Sequence, residues 1–327
     1  MGKKNMFRRG RMPGRMSVLT AMLALASPAG HATPQPATGT GVSAPPPMVL
    51  DAGQDRLKRM TVDVFINGQG PFPFAVDTGA ERTAVSASLA KRLGLVADRS
   101  ARLHSIAGVD TVRTAHVATL QIGSRRVDGI RAPILPDGPL GVAGLLGIDA
   151  LTNQRVVMDF VDERMSVRPS ATRDPRDRDT IVVTARRRFG QLVLVDASVD
   201  GQRVYAIVDS GSQVTVGNAA LRQRLSRRKR GADTPTEIIG VTGLTLPANY
   251  SVLPEMKIGS VKLGNIPIVY SDAHPFKKFG LTDKPALLLG TDLLRAFERV
   301  SLDFDTKKVR FLLRSEESNG GGHLVAD

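Results

Sequence analysis

The feature that most constrains this chain is that it says nearly the same thing twice. Phe74-Ala75-Val76-Asp77-Thr78-Gly79 returns as Ala206-Ile207-Val208-Asp209-Ser210-Gly211 at an offset of 132 residues. Leu120-Gln121-Ile122-Gly123-Ser124 returns as Met256-Lys257-Ile258-Gly259-Ser260 at an offset of 136. Gly144-Leu145-Leu146-Gly147-Ile148-Asp149 matches Leu287-Leu288-Leu289-Gly290-Thr291-Asp292 at 143, and Val157-Met158-Asp159-Phe160 matches Ser301-Leu302-Asp303-Phe304 at 144. Four landmarks in one order, with offsets that grow only by small insertions, mark a duplicated unit. The period is far too long for a solenoid, so each copy is a domain of about 110 residues, large enough to bury its own core.

Within each copy the pattern is alternation broken by turn residues. Met60-Thr61-Val62-Asp63-Val64-Phe65-Ile66 runs into Asn67-Gly68, and Leu192-Val193-Leu194-Val195-Asp196-Ala197-Ser198-Val199 runs into Asp200-Gly201. Alternation of period two followed by Asn-Gly or Asp-Gly is a strand and a tight hairpin turn. The sequence therefore predicts an all-β chain of two lobes, residues 59–169 and 186–315. A linker at 170–185 joins them, where Arg, Asp and Pro replace the apolar alternation.

The repeated Asp77 and Asp209 each follow an apolar strand and precede a hydroxyl residue and a glycine. One such tripeptide is often no more than a capped turn, in which glycine permits backbone geometry that other residues resist. Two copies at matching places in a duplicated fold can meet at a pseudo-twofold seam. Two carboxylates there cannot both ionise cheaply, so they share a proton and titrate as a pair.

Asp77-Thr78-Gly79-Ala80 and Asp209-Ser210-Gly211-Ser212 resemble the active-site motif of aspartic peptidases. Leu145-Leu146-Gly147 and Leu288-Leu289-Gly290 resemble the hydrophobic-hydrophobic-glycine motif that follows it. The short spacing between the two motifs is similar to that of a retropepsin-like lobe rather than the larger pepsin lobe. Gly147-Ile148-Asp149 and Gly290-Thr291-Asp292 resemble the start of the short helix in such lobes.

The resemblance spans roughly residues 59 to 314. It implies two β-barrel lobes related by a pseudo-twofold, with a short helix in each, both in one chain rather than in a homodimer. It further implies that Asp77 and Asp209 activate a water between them, and that Thr78 and Ser210 hold the two turns together. Gly79 and Gly211 would let the backbone approach the carboxylates.

The resemblance also implies a hairpin flap in each lobe. Candidates are Ile106 and Gly108 in the first copy and Gly240 and Val241 in the second, between the Asp motif and the next landmark. Neither segment holds a tyrosine, so closure is expected to rest on aliphatic contacts.

The implied activity is that of an endopeptidase on extended polypeptide. The competing reading is a non-catalytic module that holds a peptide or envelope component in the same cleft. A monomer with both lobes in one chain is expected, with a swapped dimer as the alternative.

Other chemistries find little support. The chain has no cysteine, and its five histidines include no pair at ligand spacing, so no metal and no cofactor is expected. No nucleophile elbow or phosphate-binding loop is present. The formal net charge of +14 concentrates in runs such as Arg186-Arg187-Arg188 and Arg227-Arg228-Lys229-Arg230. No aromatic residues are interleaved with them, which argues for solvated loops and against nucleic acid.

The first 32 residues carry six Lys and Arg, an apolar run from Val18 to Ala26, and then Gly30-His31-Ala32. This is the order of a secretory signal peptide with cleavage after Ala32. No stable membrane insertion is expected, because that run is far shorter than the roughly 20 residues of a spanning helix. A periplasmic or secreted location follows. Residues 33–58, rich in Pro, Ala, Thr and Gly, are expected to be a flexible tether, and 316–327 a frayed tail.

Overall fold

The computed structural model of the protein describes residues 42–43, 60–172, 174–194, 196–226 and 233–314. The expected leader, the tail, most of the tether and the Arg227–Arg230 cluster lie outside the described residues.

The alternation read from the sequence becomes a barrel in the first lobe. Strand Thr61–Ile66 buries Val62, Val64 and Ile66, turns at Asn67-Gly68 with both residues at positive φ, and returns as Gln69–Val76. The sheet continues through Gly144–Leu146, Ala84–Ser86, Arg125–Leu135 and Gly108–Ile122. It closes where Val64 pairs with Ile122. Closure leaves no free edge among these six strands. Ala97–Ser105 pairs only with Gly108–Ile122 and projects with it as a hairpin.

The second lobe repeats the pairing residue for residue. Phe74 lies opposite Gly144 in a parallel pair, and their repeat partners Ala206 and Leu287 lie opposite each other in the same sense. Val216–Gly217, Val261–Tyr270 and Thr245–Ile258 complete the circuit back to Ala197–Val199. The projecting hairpin here is Thr234–Ile239 against Thr245–Ile258.

The lobes share a five-stranded antiparallel sheet made of Arg164–Pro169, Gln154–Asp159, Arg299–Asp303, Lys308–Leu312 and Ile181–Arg188. At its centre Val157 faces Ser301. These two are also each other's repeat partners, so the pseudo-twofold axis passes between them.

Several expectations need correction. The segment read as a linker carries a 3-10 helix, Pro175–Asp179, and the first half of strand Ile181–Arg188. Arg186–Arg188 therefore stand on a strand rather than in a loop. Helices are more numerous than one per lobe: Ala87–Arg92 and Asp137–Leu140 in the first, Ala219–Ser226, His274–Lys278 and Thr291–Leu294 in the second. Within the expected tether, Val42–Ser43 runs parallel to Leu263–Gly264. By contrast, Asp159 and Asp303 behave as their place at a strand end before a charged turn implies: each accepts two backbone N–H groups of that turn.

Charge pairing explains how so polar a connection is fixed. Arg155, buried in the shared sheet, forks onto both carboxylate oxygens of Asp177 and donates to Ser301 Oγ at 2.5 Å. Arg299 and Arg168 both bond Asp174. The Arg299 bond, with further backbone and charge contributions, holds that carboxyl down at about 2 despite its burial.

Removing one partner of a buried pair strands the other charge, typically at about 3–5 kcal/mol. We therefore expect Asp177→Ala to destabilise the chain by about 3 kcal/mol in urea titration. Loss of less than about 1 kcal/mol would mean that Arg155 finds water or another acceptor.

Candidate active site

The two Asp motifs sit at the ends of equivalent strands, and each is held by the hydrophobic-hydrophobic-glycine strand beside it. The Asp77 N–H donates to Leu146 O at 3.0 Å, and the Asp209 N–H to Leu289 O at 3.1 Å. Gly147 and Gly290 follow because a Cβ at either would lie 2.4 Å from backbone, of Arg82 and of Val214 respectively.

Each carboxylate then folds back onto its own turn. Asp77 Oδ1 accepts from the Gly79 and Ala80 N–H groups at 2.8 and 2.9 Å, and Asp209 Oδ1 from those of Gly211 and Ser212 at 3.1 and 3.2 Å.

The hydroxyl residues cross the seam. Thr78 Oγ1 donates to Val208 O at 2.9 Å and accepts from the Ser210 N–H at 3.0 Å. Ser210 Oγ donates to Val76 O at 2.8 Å and accepts from the Thr78 N–H at 3.2 Å. Two turns locked in this way bring each glycine against the opposite carboxylate. A Cβ on Gly79 would lie 2.6 Å from Asp209 Oδ1, and one on Gly211 would overlap the Asp77 carboxyl. Only glycine leaves room for the two carboxylates to face one another.

Enclosure and proximity perturb the pair. Burial, and after it the charge of Asp77, pushes the Asp209 carboxyl up to about 7, against the lowering effect of its two backbone bonds. A site with one proton between two carboxyls holds an acid and a base together.

A gag-polyprotein aspartyl protease family model matches residues 62–153, and an aspartyl protease family model matches residues 195–293. The chain belongs to the retropepsin-like aspartic peptidases. It is a two-lobed member, the two matches lying in tandem with one motif each. No curated protein matches the chain.

The retropepsin-like hairpins cross the seam as well. Ile106 is buried in an apolar cluster of the second lobe that includes Ile207 and Val214, on either side of Asp209. Val241 packs on a first-lobe cluster that includes Ala75, Ala84 and Leu145, around Asp77. Gly108 has φ 145° at the turn of the first hairpin. Gly240 lies against Ala107 and Ser105, so that the two tips touch.

Three supporting residues escaped the sequence reading. Thr83 Oγ1 donates to Asp149 at 2.7 Å and accepts from the Gly147 N–H at 3.1 Å. Its repeat partner Thr215 does the same with Asp292 and Gly290. Thr83 and Thr215 stand at the same offset as the two motif aspartates, a signal that was there to be used. Gln191 donates its amide to Gly79 O across the seam, and no feature of the sequence announces it.

Two outcomes follow. Asp209 has a folded pKa above its unfolded value, so its ionisation works against the fold: the penalty is absent below about pH 4 and complete above about pH 7. Asp209→Asn should therefore raise Tm at pH 8, at roughly 2–4 °C for each kcal/mol regained in a chain of this size, with the gain vanishing near pH 4. An equal gain at both pH values would exclude the titration as its cause. Thr78→Val removes a donor and an acceptor and leaves Val208 O and Ser210 N unpaired, at a cost of about 2–3 kcal/mol. In a double-mutant cycle with Ser210→Ala, additive losses would mean that the two hydroxyls do not act as one unit.

Proposed function

We propose that the protein is an aspartic endopeptidase that hydrolyses extended polypeptides with a water held between Asp77 and Asp209. The observation that carries the proposal is the reciprocal contact of each motif glycine with the opposite carboxylate, which leaves the two carboxyls facing each other across the seam. A pure binding module would gain nothing from two enclosed like charges. No cofactor is needed for the chemistry.

The ionised carboxylate takes a proton from the water as its oxygen attacks the scissile carbonyl carbon, and the protonated carboxyl gives its proton to the carbonyl oxygen. Collapse of the resulting gem-diol breaks the C–N bond. The leaving nitrogen takes the proton from the carboxyl that received it, and the gem-diol returns one proton to its partner, restoring the singly protonated pair. Thr78 and Ser210 fix the geometry, and the two hairpins cover an extended substrate lying between them and the seam. Ile106 and Val241 supply the aliphatic contacts that replace a flap tyrosine. The export leader expected from the sequence supports a location in the periplasm or outside the cell, and the presence of both motifs in one chain supports a monomer.

The test is cleavage of unfolded casein by the mature chain between pH 3 and 8, beside Asp77→Asn and Asp209→Asn, with and without a statine-type inhibitor. Activity should vanish in both variants and with inhibitor, and in the wild type it should decline as pH rises past about 7, where the pair loses its remaining proton. A folded wild type inactive at every pH would turn the reading to a binding module.

A further inference from the structure

Beside the pair of carboxylates, a second pair of titratable groups spans the lobes, and the chemistry above does not use it. His104, near the end of hairpin strand Ala97–Ser105, places Nδ1 2.7 Å from Nε2 of His274, the first residue of helix His274–Lys278. The rings are 4.9 Å apart between centroids. In sequence the two stand 170 residues apart, so neither is part of any local ligand pattern. The His274 N–H also donates to Ile106 O at 3.0 Å, at the tip of the same hairpin. Behind it Ile106 packs with Phe276 and Phe279. Main chain, imidazole pair and apolar tip together fasten the first-lobe hairpin to the second lobe.

The charged groups around the pair are nearly all cationic. Arg102 lies two residues back along the hairpin strand, and Lys277 and Lys278 lie on the helix. Lys278 is bonded at 2.5 Å to Glu81, four residues past Asp77. Of the neighbouring acids, Asp110 pairs across the hairpin with Leu103 while His104 faces Val109, and Asp272 is exposed ahead of the helix. Arg102 and Lys277 have no carboxylate partner among the described residues.

We infer that His104 and His274 are positioning residues for the cleft: they form a latch that holds the first-lobe hairpin closed while at most one of the two rings is an imidazolium, and that releases it when both are. Two neutral rings share one N–H as donor and one lone pair as acceptor, and a single imidazolium still finds a lone pair on its neighbour. Two imidazolium rings present N–H to N–H at hydrogen-bond distance with like charges, and the surrounding cations add to the repulsion. Burial first, then His104, Lys277, Lys278 and Arg102, all hold His274 below the usual histidine range, so release belongs to acid conditions below that range.

The inference takes its functional meaning from the reading of the cleft as a substrate channel, since a closed hairpin bars polypeptide and a released one admits it. Its test requires no catalysis. The chain has no cysteine, so nitroxide labels can be placed at Thr111→Cys on the hairpin and Asp283→Cys on the second lobe, both exposed. Distance distributions by pulsed electron resonance, in an Asp209→Asn background that silences the carboxylate pair, should show one short population at pH 7.5 and a longer one growing by pH 5. Each unit by which closure lowers the pair's second protonation shifts the closed-to-open ratio tenfold.

His104→Asn keeps a hydrogen-bonding group near the Nδ1 position without a titratable ring and should stay closed at both pH values. His104→Ala should show the longer distance at both. In active protein, His104→Ala should change KM for casein more than kcat, with its pH dependence on the acid side flattened. An unchanged distribution between pH 7.5 and 5, or acid opening that persists in His104→Asn, would overturn the latch while leaving the proposed peptidase untouched.

Discussion

Everything in the site depends on the reciprocal bonds of Thr78 and Ser210. Each hydroxyl donates to a carbonyl and accepts from an N–H of the other lobe, so neither turn has a complete set of hydrogen-bond partners alone. A buried backbone N–H without a partner costs more than a made bond contributes. The lobes are therefore held in one register at the place where register matters. With that register fixed, the closeness of glycine to carboxylate follows, and burial together with the charge of Asp77 then raises the Asp209 carboxyl. The shared sheet sets the same pseudo-twofold at a second point, between Val157 and Ser301.

The duplication is a division of labour as well as a symmetry. Thr83 with Asp149 and Thr215 with Asp292 serve each lobe separately, tying the loop after each Asp motif to the Leu-Leu-Gly strand. Burial raises Asp292 to about 6 against hydrogen bonds from Thr215, Leu293 and its own backbone, so this support is held at some cost in desolvation. Departures from symmetry include the extra helix of the second lobe, Gln191, which reaches Gly79 from one side, and the histidine pair, which joins the first-lobe hairpin to the second lobe.

Much of this was legible in the residues. A repeated apolar strand ending in Asp, hydroxyl and Gly specifies a turn, and its repetition specifies the seam, so the all-β two-lobed fold and the meeting of Asp77 with Asp209 could be read before any coordinates. The Asn67-Gly68 and Asp200-Gly201 turns were equally plain, because both need positive φ. What could not be read depends on distance along the chain. Asp174 and Asp177 look like linker composition until Arg155, Arg168 and Arg299 are seen beneath them, and Arg186–Arg188 look like a loop until Ile181–Arg188 is seen pairing with Lys308–Leu312. His104 and His274 carry no pattern of their own and become a pair only through the crossing of the hairpin.

The proposed chemistry requires that two carboxylates from different lobes share one proton. The most direct measurement is a pH titration of the protein labelled with 13C at aspartate side-chain carboxyls, compared with the same titration of Asp77→Asn. One carboxyl carbon should titrate near pH 7 and move to lower pH when Asp77 loses its charge, because Asp77 is the second cause of the shift after burial. Two carboxyls titrating independently near 4, unaffected by each other's replacement, would contradict it.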